Sequence, residues 1–216
     1  MEPVMTLNEI HVPVRVRSHV VLFAHLFTIA AMLTLVIGVH PLQAAELPSL
    51  DTIESFHPSI DEMPKESGDV YTWSGAVNKK HSREYVVKAY DNMIMRRTTS
   101  AWKREPKPQY KTGIESASVG IEIQAAEDPT KIMTNFRKNF EENPHYEKFR
   151  NEPFGDKGYR YRRTTAQGYT GPTTTVLFIK GNIFVMVTAY TSNRITHDEL
   201  AKNFATIVLN KIPQYN

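Results

Sequence analysis

Two apolar runs, Val176-Leu177-Phe178-Ile179 and Ile183-Phe184-Val185-Met186-Val187, stand on either side of Lys180-Gly181-Asn182. Gly and Asn both accept the positive φ that a tight hairpin requires, so the stretch reads as a β-hairpin. Its second arm is apolar on both faces, which places it inside a sheet with cover on each side. A chain carrying this arm has to supply strands for both of its edges and layers for both of its faces.

The flanking sequence offers such material. Val119, Ile121, Ile123 and Ala125 alternate with Gly120, Glu122 and Gln124, the period of a half-buried strand. Asp128-Pro129 then supplies an N-cap beside a proline suited to the first helical turn, and Ile132, Met133, Phe136 and Phe140 share one face up to Asn143-Pro144. Gly158 to Arg163 reads as a strand. Thr196-His197-Asp198-Glu199 matches a capping box, and Leu200, Phe204, Ile207, Val208 and Ile212 form an amphipathic helix stopped by Pro213. Nearer the N-terminus, Val70-Tyr71-Thr72-Trp73 reads as a short strand ending at Ser74-Gly75, and Lys103 to Gly113 as a loop. Residues 85–98 fit two patterns: Tyr85, Val87 and Ala89 alternate as in a strand before a turn at Asp91-Asn92, while Val86, Tyr90, Met93 and Arg97 fit a helix. The expectation is one α+β domain over 69–216, an antiparallel or mixed sheet with helices packed on it. Residues 45–68, with Pro48, Pro58 and Pro64 and no sustained period, are expected to form an extended linker.

Residues 1–44 read as a signal peptide or a membrane anchor. The run Val20 to Val39 has no formal charge and follows Arg15, Arg17 and His19, the order of an export signal. Gly38 and Pro41 break the helix, and a cut after Ala44 fits the small residues there. The run is also close to the ~20 residues that span a bilayer, so membrane contact through residues 20–39 is the expectation if the leader is uncut. Either way the domain belongs outside the cytoplasm, periplasmic or secreted. The chain has no cysteine, which excludes disulfides, thiol catalysis, cysteine-based metal sites and lipid attachment through cysteine.

Composition narrows the chemistry. Removing Glu2, Glu9, Arg15 and Arg17 with the leader leaves the net charge at +3, too mild and too dispersed for a phosphate-neutralising stripe. No nucleic-acid partner is expected. There is no G-x-S-x-G elbow, no H-E-x-x-H pair, no EF-hand loop, no P-loop and no dinucleotide fingerprint, so no cofactor or metal is assigned. His197 reads as the surface of a first helical turn and His81 as part of a solvated Lys79-Lys80-His81 cluster. Met93-Ile94-Met95 suits soft copper ligation, and also suits core filling.

One segment invites a binding role. Tyr159 and Tyr161 alternate with Arg160 and Arg162, so in a strand the rings take one face and the guanidinium groups the other. Aromatic faces stack on sugars and guanidinium forks grip carboxylates, which makes an anion or glycan platform with Tyr169 of the adjoining loop. The same alternation also describes half-buried tyrosines under a solvated basic face.

From Val119 to Ile212 the layout resembles PsbP-like α/β/α sandwich domains, with Phe154-Gly155-Asp156 before the Tyr/Arg strand, Phe178-Ile179-Lys180-Gly181-Asn182 at the hairpin and a closing helix. The resemblance implies an exported accessory or binding protein and carries over no functional residue. The expected function is a non-catalytic binding or accessory module of the cell envelope, its partner an envelope protein or glycan. The alternatives are an extracytoplasmic hydrolase built from dispersed acids and histidines, and a membrane-anchored structural domain.

Overall fold

The computed structural model describes residues 46–64, 70–110, 116–147, 151–163, 173–191 and 194–214. The leader with its run 20–39, and Tyr169, lie outside the described residues. Among those described, no helix is long and apolar enough to cross a membrane.

The strands are β1 (Tyr71–Val77), β2 (Arg83–Val87), β3 (Met93–Pro106), β4 (Ala117–Ala126), β5 (Tyr146–Glu147), β6 (Asn151–Glu152), β7 (Lys157–Arg163), β8 (Thr173–Lys180) and β9 (Ile183–Tyr190). Every pairing is antiparallel, in the order β1-β3-β4-β9-β8-β7-β5. Strand β3 is 14 residues long and carries two partners end to end on one edge, β1 along residues 100–106 and β2 along 93–97. On the far side β7 does the same with β5 and β6. The doubly apolar arm is β9, which lies between β4 and β8 near the middle of the sheet.

Among the described residues three α-helices cover the sheet: α1 (Leu50–Ser55), α2 (Pro129–Glu142) and α3 (Arg194–Lys211). Because side chains alternate along a strand, Val119, Ile121 and Ile123 of β4 and Val185 and Val187 of β9 meet α1 and α3 on one face, around Ile53, Phe56, Phe204 and Val208. The opposite face presents Phe184, Leu177, Tyr159 and Tyr161 to Ile132, Met133, Phe136 and Phe140 of α2. Phe136 stacks on Phe184 with centroids 5.2 Å apart, and Phe140 on Tyr161 at 4.8 Å. Asp128 caps α2 by accepting from the amides of Thr130 and Lys131.

Several expectations are corrected. Residues 46–64 form no extended linker: Ser49 caps α1, and Ile53, Phe56, His57 and Met63 are buried against the sheet. The helix is only 6 residues long, too short to show a period, and tertiary packing holds it. Of the two patterns at residues 85–98 the strand with its turn is the one found: they are the end of β2 and the start of β3, joined through Asp91 and Asn92, both with φ near +60°. Strand β1 runs on through Gly75 to Val77, and β3 extends to Pro106, whose missing N–H falls at the strand end. Helix α3 begins at Arg194, so Thr196 lies inside the helix and not at the residue before it. At the β8–β9 turn only Gly181 takes positive φ, at 57°; Asn182 does not.

Gly155 ties the approach to β7 to that turn. Its φ of +60° sends the Asp156 amide to the Ile179 carbonyl at 2.8 Å, and the Asp156 carboxylate accepts the Gly181 N–H, also at 2.8 Å. A methyl group on Gly155 would overlap the Ile179 carbonyl oxygen. Gly155→Ala is expected to cost about 2–4 kcal/mol, the left-handed penalty plus overpacking, read as a lower urea midpoint.

Candidate functional site

The four described residues of the predicted platform divide between the two faces of β7. Tyr159 and Tyr161 are buried beneath α2: Arg137 lies 4.1 Å over the Tyr159 ring and donates to its hydroxyl, and the Tyr161 hydroxyl donates to Glu141 at 3.1 Å. Burial pushes the Tyr161 pKa up to about 12. Their ring faces are taken by the protein itself.

Arg160 and Arg162 point to the other face and converge on Asp198 at the start of α3. Arg160 donates to Oδ2 at 3.0 Å and Arg162 to Oδ1 at 2.8 Å, while Glu152 lies 2.8 Å from Arg160. Thr174 donates to the same Asp198 carboxylate and bonds Nδ1 of His197 at 2.6 Å. His197, read as surface from its first-turn position, is therefore buried in the interior. A nucleophilic hydroxyl needs a base in reach and a path for substrate. Thr174 is 0% exposed and sits between the imidazole and the carboxylate, so what these groups accomplish is to clamp α3 to β7 and β8.

His57 is likewise held by hydroxyls, with Nδ1 2.8 Å from Ser100 and Nε2 2.8 Å from Thr98. Among the described residues no group of three His, Asp or Glu side chains is placed to hold a metal ion. Met93 and Met95 are core residues, with Ile94 exposed between them. A cleft of about 510 Å³ lies between the β8–β9 turn and the end of α3, lined by Asp156, Lys180 and Asn210 among others. Its charges are engaged: Lys180 donates to the Leu209 carbonyl and Asp156 accepts from Gly181.

The remaining concentration of accessible groups is on the α2 face of the sheet, beyond the part that α2 covers. The register aligns Ala76, Ala101, Gly120 and Thr188 in one row that ends at the buried Thr175, and Ser74, Lys103, Ser118 and Tyr190 in the next. The same strands are buried on their other face by Trp102, Val119, Val187 and Ala189, while Ala76, Ala101, Ser118 and Tyr190 are exposed. A third row holds Glu122, which accepts from Arg97 at 2.5 Å and from Gln124. The Gln124 carbonyl oxygen and Arg97 Nε are sealed from solvent and make no hydrogen bond among the described residues.

Gly120 is the informative member of this surface. Glycine in a strand interior costs about 0.5–1 kcal/mol relative to alanine. Gly120 has no positive φ, and a Cβ there would meet nothing within 4 Å. Neither backbone conformation nor packing within the described fold calls for a glycine, and such positions mark close approach by a ligand or another backbone. Sequence reading missed this floor because its residues are small and polar, and only the register assembles them.

No protein-family model, curated protein or solved structure matches this chain.

Proposed function

We propose that this chain is an exported, non-catalytic binding module of the cell envelope, using the small-residue floor around Gly120 as its contact surface. The observation that carries the reading is a central-strand glycine beneath open space, next to exposed Ala101, Ser118 and Tyr190. Small side chains allow a partner to lie against the strands, hydroxyls of Ser118 and Thr188 supply exchangeable hydrogen bonds, and Tyr190 and Lys103 edge the floor with an aromatic ring and a cation. Export is supported by the charge-free run 20–39 behind Arg15 and Arg17. Arg160 and Arg162 serve the scaffold by fixing α3.

Gly120→Arg tests the surface, because a Cβ at this position meets nothing within 4 Å. Its stability is expected to stay within about 1 kcal/mol of wild type, or to rise, as strand glycines are costly. Its retention of envelope components on an immobilised column is expected to fall at least tenfold relative to wild type. Equal retention by the two proteins would remove this face from consideration.

A further inference from the structure

We propose that residues 46–63 form an acid-released strap, latched to the sheet by the neutral imidazole of His57. The strap crosses the β3–β4 half of the sheet and buries Ile53, Phe56 and Met63 there. Its one buried ionisable side chain is His57, 3% exposed, with both ring nitrogens spanned by hydroxyls of β3. In the neutral ring one nitrogen donates and the other accepts, which two hydroxyls match. Ser100 also receives the Trp102 indole N–H at 3.2 Å.

The charges around the latch oppose a proton. Lys211 of α3 donates to the His57 carbonyl at 2.8 Å and to Glu62 at 2.7 Å. At the strap's other contacts, Glu54 pairs with Lys79, and Arg96, itself paired with Glu84, holds the carbonyls of Leu47 and Pro48. Burial first, and Lys211 second, push the His57 pKa down from 6.5 to about 4. Burial acts to raise Glu62, but hydrogen bonds from Lys211 and Ser59 hold it below its ordinary value, so its loss of charge comes in more acid solution.

The sign follows from linkage. The open strap binds a proton below pH 6.5, whereas the closed one resists it down to about 4, so closure is fully favoured above 6.5 and weakens as pH falls. The opening constant rises about 20-fold by pH 5 and about 120-fold by pH 4 relative to pH 7. Opening uncovers the apolar bed on β3 and β4, a surface distinct from the Gly120 floor on the opposite face.

Amide exchange followed by mass spectrometry on the full chain tests this, with rates normalised to intrinsic exchange at each pH. Protection of residues 50–63 is expected to fall about 30-fold between pH 7.5 and pH 5 while that of β4 falls far less, and His57→Gln is expected to abolish the difference. A parallel loss in wild type and variant, or in the strap and β4 together, would overturn the latch. An NMR titration of the wild-type His57 ring, assigned through its contacts to Thr98 and Ser100, decides independently of the variant's folding: a midpoint near 4 supports the strap and one near 6.5 refutes it.

Discussion

Asp198→Ala is expected to destabilise the protein by about 3–5 kcal/mol, the largest effect of any single polar substitution in the described core. The carboxylate is the common acceptor for Arg160, Arg162 and Thr174, and its side chain is 11% exposed. Removing it takes from two guanidinium groups, both largely withdrawn from water, the carboxylate they share, with Glu152 2.8 Å from Arg160. An uncompensated buried charge costs far more than the intact pair contributes, because the desolvation has already occurred. Asp198→Asn keeps the shape and one acceptor oxygen and is expected to lose roughly half as much. Urea unfolding checks both: the midpoint should drop in the order wild type, Asn, Ala, with an unchanged m-value if the transition stays two-state.

Phe204→Ala should cost a similar amount, about 3–5 kcal/mol, for a different physical reason. Phe204 is fully buried on the sheet-facing side of α3, and its ring lies 5.3 Å from that of Trp73 in β1. The substitution removes a ring from a cluster of buried side chains that can only partly relax to fill the space. Because Trp73 loses its neighbour, the native fluorescence spectrum should shift along with the unfolding midpoint. Phe204→Leu, which refills most of the volume, is expected to cost under about 1.5 kcal/mol. Equal losses for Leu and Ala would mean that the site relaxes and that the cavity is not the cause.

Phe204 also shows what the amino-acid order reveals by itself. Leu200, Phe204, Val208 and Ile212 recur at helical spacing and are all buried against the sheet. The β8–β9 hairpin, the alternation in β4 and the capped start of α2 are equally local, since a turn, a period and a cap each concern residues a few positions apart. Helix α1 has a cap at Ser49 but no period, because its 6 residues are too few and burial of Ile53 holds them. His197 illustrates the same limit: its place in the first helical turn suggests exposure, but Thr174, 23 positions away, draws it inside. The alternation of Tyr159 to Arg162 correctly divides rings from guanidinium groups, yet nothing local shows that α2 occupies the first face and Asp198 the second. Gly120 is silent in the sequence for a related reason. Its meaning depends on Ala101 and Thr188 across two strand pairings.

The end-to-end arrangement of short strands at both margins of the sheet bears on how the protein behaves in crowded solution. A second chain seeking to add a strand along the β3 side meets 7 residues of β1, then the Lys79–His81 turn, then 5 residues of β2. Along β7 it meets two pieces of 2 residues each. Each margin is interrupted, and the first interruption carries Lys79, Lys80 and His81, so an incoming strand loses its hydrogen-bond partners before a cooperative ladder can form. Resistance to fibre formation is thus written into the outline of the sheet as well as its charge, and the protein can leave the Gly120 floor uncovered without offering a growing edge beside it.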